Sequence, residues 1–235
     1  MDKGKLYLIP TILIEGAHKE TLSLPIFKAI KEINIFIVEN LRTARRHIKK
    51  IDKKKDIDKT IFYCNGKHEK INLKEQFLPH ILEENNVGLL SESGNPCIAD
   101  PGSEIVMFCH NYQIDVIPLV GPSSILLALI SSGLNGQNFA FNGYLPINKK
   151  ERIKKIKQLE DVIKKTQQTQ IFMEAPYRNM QLFDTLLKTC NNNTKLCIAS
   201  NITLSNQNIK TKKIIEWKEQ DINIHKKPTI FLIGQ

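Results

Sequence analysis

Residues 87–132 contain one pattern twice, and this repeated pattern restricts the fold more than any other part of the chain. An apolar run, Val87 to Leu90, is followed by a cluster of turn-forming residues, 91–96, and then by a predicted helix. A second apolar run, Ile114 to Val120, is followed by Gly121-Pro122-Ser123-Ser124 and a second helix. Strand–loop–helix units of this kind predict an α/β fold, in which ligands bind at the carboxyl ends of the strands.

The rest of the chain extends this pattern and predicts two α/β domains. Further apolar runs that predict strands lie at Leu6–Ile9, Ile35–Val38 and Ile61–Cys64, before the central stretch. The prolines of 118–122 mark the predicted boundary, because the alternation of strand and helix becomes less regular after them. We therefore predict an N-terminal domain at 1–118 and a C-terminal domain at 119–235, in which Lys213–Trp217 is interpreted as a strand.

Cysteine and histidine usage gives no sign of a metal site. The five cysteines form no Cys-x-x-Cys pair, and their odd number is typical of a reducing compartment, so we expect a cytoplasmic protein without a metal. The longest mainly apolar stretch, 116–130, is interrupted by Pro118 and Pro122 and is too short to span a bilayer.

The net charge of +10 has two interpretations. Basic runs at Lys49–Lys55, Lys149–Lys157 and Lys210–Lys213 favour a polyanionic partner such as nucleic acid. The alternative is compositional, because an AT-rich genome enriches Lys, Asn and Ile together without selection for binding. Charge alone leaves both interpretations open.

The common nucleotide and hydrolase motifs are absent from the sequence. It contains no Gly-x-Gly-x-x-Gly, no P-loop and no Gly-x-Ser-x-Gly elbow. The loops at 93–96 and 121–124 are therefore the candidate ligand contacts. The second loop opens a helix, whose backbone N–H groups favour an acceptor such as a carboxylate. Taken singly, either loop is also explained as a turn that caps a helix.

Taken together and in order, these segments resemble the tetrapyrrole methylase superfamily. The resemblance is carried by SESGNPCIADPG at 91–102, PLVGPSS at 118–124 and SGL at 132–134. FMEAPYR at 172–178 is similar to the branch that methylates a ribose 2′-hydroxyl of a cytidine in small-subunit ribosomal RNA. The sequence departs from that branch at Asn40, where the family usually has Asp, and at Tyr177, where it usually has His.

The resemblance implies an S-adenosylmethionine-dependent methyltransferase of two α/β domains, with the cofactor cleft between them. It also implies a homodimer that acts on ribosomal RNA or the small ribosomal subunit. Carried over by position, the expected cofactor contacts are Gly94, Asn95, Pro96, Ile98, Ser123, Ser124, Ile125, Met173, Ala199 and Pro228.

Two carboxylates and two arginines at predicted strand ends are the candidate catalytic residues. Glu39 and Glu174 could accept a proton, while Arg42 and Arg178 could hold a phosphate. The alternative for Glu174 and Arg178 is a structural ion pair, and Asp100 is interpreted as a cap of the turn that follows it. Two further hypotheses remain open: a methylase of a tetrapyrrole or another small molecule, and a cofactor-binding protein without turnover.

Overall fold

The computed structural model describes residues 3–16, 21–66 and 69–235. The chain divides into two compact units, Met1–Ser123 and Ser124–Gln235. Each unit is built around its own five-stranded sheet with helices packed against it. The predicted α/β class and the presence of two α/β domains are confirmed.

The sheet of the first unit is entirely parallel, with strand order β3-β2-β4-β1-β5. Parallel strands end at one edge of a sheet, so the residues after each strand are neighbours there. The strands are β1 (Leu6–Ile9), β2 (Ile35–Val38), β3 (Ile61–Cys64), β4 (Val87–Leu90) and β5 (Val116–Pro118).

Helices cover both faces of this parallel sheet, which explains the continuous apolar runs of β2 and β4. Phe36 and Val38 pack with the first two helices, whereas Ile35 and Ile37 pack with the next two. The helices are α1 (Leu24–Glu32), α2 (Leu41–Ile51), α3 (Leu78–Leu82, preceded by a π-helical turn at Leu73–Phe77) and α4 (Ser103–Asn111).

The second unit has a mixed sheet of order β6-β7-β10-β8-β9, in which only β6 and β7 pair in parallel among the described strands. Its strands are β6 (Phe139–Tyr144), β7 (Thr169–Met173), β8 (Lys195–Ser200), β9 (Asn208–Lys213) and β10 (Thr229–Gly234). Its helices are α5 (Ser124–Ser132), α6 (Lys149–Thr166), α7 (Asn179–Thr189) and α8 (Ile214–Trp217).

The predicted strand at Lys213–Trp217 is wrong. Strand β9 ends at Lys213 and the chain continues as helix α8, where Ile214 and Trp217 are both buried in the core. Helical spacing brings these two side chains to the same face, and the Trp217 Nε1–H donates to the Leu196 carbonyl at 2.8 Å. The burial of the indole therefore decides the local conformation over the β propensity of its neighbours.

The first compact unit continues to Ser123, five residues beyond the boundary predicted after residue 118. The Leu119 N–H donates to the Leu8 carbonyl at 3.0 Å, and the Ser23 hydroxyl donates to the Val120 carbonyl at 2.5 Å. These bonds hold the segment after β5 on the first unit, so the prolines bend the chain without ending the domain.

We predict that Gly88→Ala destabilises the first unit, because β4 is flanked by β1 and β2. A Cβ atom at Gly88 would lie 2.8 Å from side-chain carbons of both Ile9 and Phe36. Overpacking of this kind costs about 1–3 kcal/mol of unfolding free energy. The matched control is Gly136→Ala, where a Cβ would meet nothing within 4 Å. Equal denaturant midpoints for the two variants would contradict the packing described here.

Candidate active site

The loop after β4 is held against the loop after β1 through the carbonyl of Gly94. The Thr11 N–H donates to this oxygen at 2.9 Å, and the Ser91 hydroxyl also donates to it. The Ser93 hydroxyl donates to the Leu13 carbonyl at 2.7 Å, which adds a second connection between the same loops. Neighbouring parallel strands thus place two polar loops side by side at the carboxyl edge of the sheet.

The loop after β5 joins the other two loops at Gly94. Asn95 donates from Nδ2 to the Pro122 carbonyl at 3.3 Å, and a Cβ atom at Gly94 would lie 3.2 Å from the same oxygen. Gly94 has a φ of +72°, in the left-handed region that favours glycine. The structure thus brings Gly94 and Asn95 to Pro122, the residue before Ser123.

The other predicted cofactor contacts of the first unit differ in exposure. Pro96 is buried, and Ile98 is 49% exposed at the rim of the loop. Cys97 and Ala99, on either side of Ile98, both have positive φ values, 66° and 61°. Two such residues without glycine are uncommon, and a strained backbone of this type is frequent at ligand sites.

In the second unit, three predicted contacts lie together at the same end of the neighbouring strands β7, β10 and β8. Met173 ends β7 and pairs with Ile230, while Ala199 pairs with the same Ile230 from the opposite side. Pro228 precedes β10, and its carbonyl accepts the Asn201 N–H at 2.9 Å. Met173, Ala199 and Pro228 are therefore neighbours in this sheet.

The two remaining predicted contacts, Ser124 and Ile125, begin α5. This helix packs against β10, and the residues that follow it reach the carboxyl end of that strand, where Leu134 lies against Gly234. The first turn of α5 is therefore directed towards the amino end of β10, which follows Pro228.

Glu39 and Asp100 are neighbouring carboxyl groups at the carboxyl edge of the parallel sheet. They line one small pocket with Asn65 and Ser91. The pKa of Asp100 is raised to about 6, chiefly by burial and next by the charge of Glu39, while hydrogen bonds from the backbone of Glu92 and Ser93 oppose the shift. Asp100 Oδ2 is buried without a hydrogen-bond partner among the described residues.

The interpretation of Asp100 as a cap of the following turn is therefore wrong. Its carboxyl group instead accepts from the backbone of the preceding loop, at Glu92 and Ser93. Sequence reasoning also missed Asn65. Its Nδ2 donates to Glu104 at 2.8 Å beside the same pocket. The order of the strands places both residues at this pocket, and that order cannot be read from the sequence.

Arg42 lies in the first turn of α2, three residues after Glu39, and is exposed. The helix begins at Asn40, whose Oδ1 accepts the N–H groups of Arg42 and Thr43 at 3.0 and 3.2 Å. The Asn that replaces the family's usual Asp thus keeps the capping function. No side-chain partner of Arg42 is found in the part of the chain that the structure describes.

Glu174 and Arg178 form an ion pair in the second unit, as the structural alternative predicted. Glu174 Oε1 accepts from Arg178 Nη2 at 2.6 Å and from Nε at 3.0 Å, and these hydrogen bonds raise the pKa of Arg178. Glu174 is buried, and its Oε2 has no partner among residues 3–16, 21–66 and 69–235. Removal of either residue would leave the other charge uncompensated.

Two classes of site are not found in the described residues. No group of three or more His, Cys, Asp or Glu side chains there could hold a metal ion. No helix in those ranges is long and apolar enough to cross a membrane.

The sequence matches the family model described as Tetrapyrrole (Corrin/Porphyrin) Methylases over residues 18–216. This chain belongs to the tetrapyrrole methylase family. The family and the enzyme class predicted from the sequence, a methyltransferase, are thereby confirmed.

Similar curated proteins carry the name ribosomal RNA small subunit methyltransferase I. The protein of Halalkalibacterium halodurans is 32% identical over 186 residues, which cover 79% of this chain and 60% of that protein. The protein of Buchnera aphidicola from Schizaphis graminum is 28% identical, and the match covers 98% of this chain and 78% of that protein.

Solved structures support the fold. The methyltransferase CobJ superposes with a TM-score of 0.62 at 15% identity, covering 99% of this chain and 94% of that one. Uroporphyrin-III-C-methyltransferase from Thermus thermophilus superposes with a TM-score of 0.54, also at 15% identity, covering 98% and 92%. At this identity the likeness concerns the fold alone.

We predict that Asp100→Asn stabilises the protein above neutral pH. The pKa of Asp100 in the folded protein exceeds its ordinary value of 3.8, so ionisation lowers the stability as the pH rises from about 4 to about 6. The variant cannot ionise, and its unfolding free energy should exceed that of the wild type by about 1 kcal/mol at about pH 8, discounted because the group is partly exposed. The gain should vanish near pH 4.

Asp58→Asn is the matched control, because Asp58 is exposed in the same unit. Denaturant unfolding at several pH values measures all three proteins. A lower stability of Asp100→Asn at high pH would contradict the described environment of this carboxyl group.

Proposed function

We propose that this methyltransferase transfers the methyl group of S-adenosylmethionine to a ribose 2′-hydroxyl of small-subunit ribosomal RNA in the cytoplasm. The observation that carries the cofactor assignment is the meeting of three loops at Gly94, after β1, β4 and β5. The name shared by the similar proteins, ribosomal RNA small subunit methyltransferase I, supports the RNA substrate. The proposal includes the homodimer that the family resemblance implies.

The proposed cofactor contacts come from both units. The first unit contributes Gly94, Asn95, Pro96, Ile98 and Ser123. The second unit contributes Ser124, Ile125, Met173, Ala199 and Pro228. A Cβ atom at Gly94 would lie 3.0 Å from a Leu13 side-chain carbon and 3.2 Å from the Pro122 carbonyl oxygen, so the meeting of the loops requires glycine here, which supports its place in this set.

Methyl transfer to a hydroxyl needs positioning and a proton acceptor. The residues of the proposed contact set would hold the cofactor and position its methyl group for transfer to the hydroxyl. When bound, the cofactor supplies the activated methyl group. We propose Glu39 as the acceptor of the hydroxyl proton, because it is exposed at the strand end, whereas Glu174 is engaged by Arg178.

The two arginines differ in their suitability for holding RNA. Arg42 is exposed three residues after Glu39 and is proposed to contact a substrate phosphate. Arg178 already forms hydrogen bonds with Glu174 and with the Tyr177 hydroxyl at 2.6 Å. We therefore assign Arg178 first to the stability of the segment after β7, and substitution of this residue would not test RNA binding alone.

We predict that Gly94→Val abolishes S-adenosylmethionine binding while the protein stays folded. A Cβ at Gly94 would lie 3.0 Å from Leu13 and 3.2 Å from the Pro122 carbonyl, and the φ of +72° resists a β-branched residue. Isothermal titration with S-adenosylmethionine and with S-adenosylhomocysteine measures the binding.

The matched control for this substitution is Gly133→Val. Gly133 has almost the same φ, +70°, but a Cβ there would meet nothing within 4 Å. Both variants therefore carry similar backbone strain, and only Gly94→Val fills the space where the loops meet. Wild-type affinity in Gly94→Val, or no binding in the wild type, would refute the cofactor site.

We predict that the protein labels a 2′-O-methyl nucleoside in immature small ribosomal subunits when it is given labelled S-adenosylmethionine. Nuclease digestion locates the label.

Glu39→Gln should lower kcat by about 10²–10⁴-fold with unchanged cofactor affinity, because proton acceptance acts on the transfer step. Arg42→Gln should raise KM more than it lowers kcat. Bound cofactor without labelled RNA would favour a small-molecule substrate or a binding role.

A further inference from the structure

A groove between α6 and α7 lies on the helical side of the second unit, and no proposed cofactor contact lines it. Its volume is about 540 Å³, and its lining includes Lys149, Arg152, Lys157 and Lys188. Asp184 is the only acidic residue among the lining residues. Four cationic side chains and one anionic side chain give the groove a formal charge of +3.

Arg152 is the unusual member of this set, because its side chain is almost completely buried. The residue is 1% exposed and is the largest of the fully buried side chains. Its Nη1 donates to the Ile147 carbonyl and its Nη2 donates to Thr185 Oγ1, both at 3.2 Å. Its Nε is buried and has no hydrogen-bond partner among the described residues.

No carboxylate oxygen lies within 4.0 Å of this guanidinium in the part of the chain that the structure describes. A buried charge without a counterion is costly, and an arginine is always charged in a protein. Both of its present hydrogen bonds go to neutral acceptors, and Thr185 also donates to the Gln181 carbonyl at 2.7 Å. The guanidinium of Arg152 therefore keeps an unsatisfied donor and an uncompensated positive charge at the wall of the groove.

We propose that the groove between α6 and α7 binds a phosphodiester of the RNA substrate. This inference rests on the proposed function, which it deepens by naming a second RNA contact. Arg152 supplies a fixed, preorganised positive charge at the wall, and the three lysines act as mobile point charges at the rim. The volume suits a phosphate with part of its sugar and falls in the range of ordinary ligand sites.

The test measures the affinity of the whole protein for a fluorescently labelled fragment of small-subunit ribosomal RNA over a series of salt concentrations. The double variant Lys157→Gln/Lys188→Gln removes two rim charges without touching the buried arginine. It should weaken binding about tenfold and reduce the slope of log affinity against log salt by about one to two.

The matched control is the double variant Lys154→Gln/Lys165→Gln, which removes the same charge from exposed positions of α6 outside the groove. It should leave the salt slope close to that of the wild type. Asp184→Asn should have the opposite effect and raise the affinity for RNA, because it removes the one negative charge among the described residues that line the groove. Arg152→Lys, checked for folding by circular dichroism, should weaken binding even though the charge is kept.

The outcomes separate this inference from the proposed function. Equal RNA affinities and equal salt slopes for the two lysine double variants would contradict the proposal that the groove binds RNA. Methyl transfer to RNA by the wild type would be unaffected by that result. A wild type that binds RNA but transfers no methyl group would refute the proposed function, while the variant series would still decide the groove. The proposal that the groove binds RNA would also be contradicted if the wild type bound no RNA, or if it bound only free inorganic phosphate.

Discussion

The carbonyl of Gly94 is the acceptor on which the candidate site depends. It receives donors from both Thr11 and Ser91, and the left-handed backbone of Gly94 aims it at them. Because β1 and β4 are neighbours in a parallel sheet, this single oxygen can join the loops that follow them. The approach of Pro122 then requires a residue without a side chain at Gly94. The geometry of the loops, the requirement for glycine at residue 94 and the order of the strands therefore depend on one another.

The sequence predicted the parallel sheet well, because that sheet is buried on both faces. The strands at Leu6–Ile9, Ile35–Val38 and Val87–Leu90 have their predicted bounds. A strand covered on both sides consists of apolar residues throughout, and polar turn formers bound it sharply. The loop at 93–96 was identified for the same reason, since its polar residues contrast with the run before them.

Where the structure differs from expectation, a tertiary contact has overridden the local pattern. Strand β9 contains five polar or charged residues in six and lies at the sheet edge, where lysines are common, so hydrophobicity could not reveal it. The helix at Ile214–Trp217 is fixed by the indole's bond to Leu196. The proximity of the Asp100 and Glu39 carboxyl groups depends on the adjacency of β2 and β4, whose residues are far apart in the sequence.

Two arginines of the second unit show how partners, more than residue type, decide a role. Arg178 has a carboxylate at 2.6 Å, so its charge is balanced within the protein and it stabilises the segment after β7. Arg152 is more deeply buried, yet its hydrogen bonds go to neutral oxygens and its Nε has no partner among the described residues. A sequence motif drew attention to Arg178, while Arg152 lay unnoticed within a lysine-rich helix. The unbalanced charge of Arg152 makes it the stronger indicator of an anionic ligand.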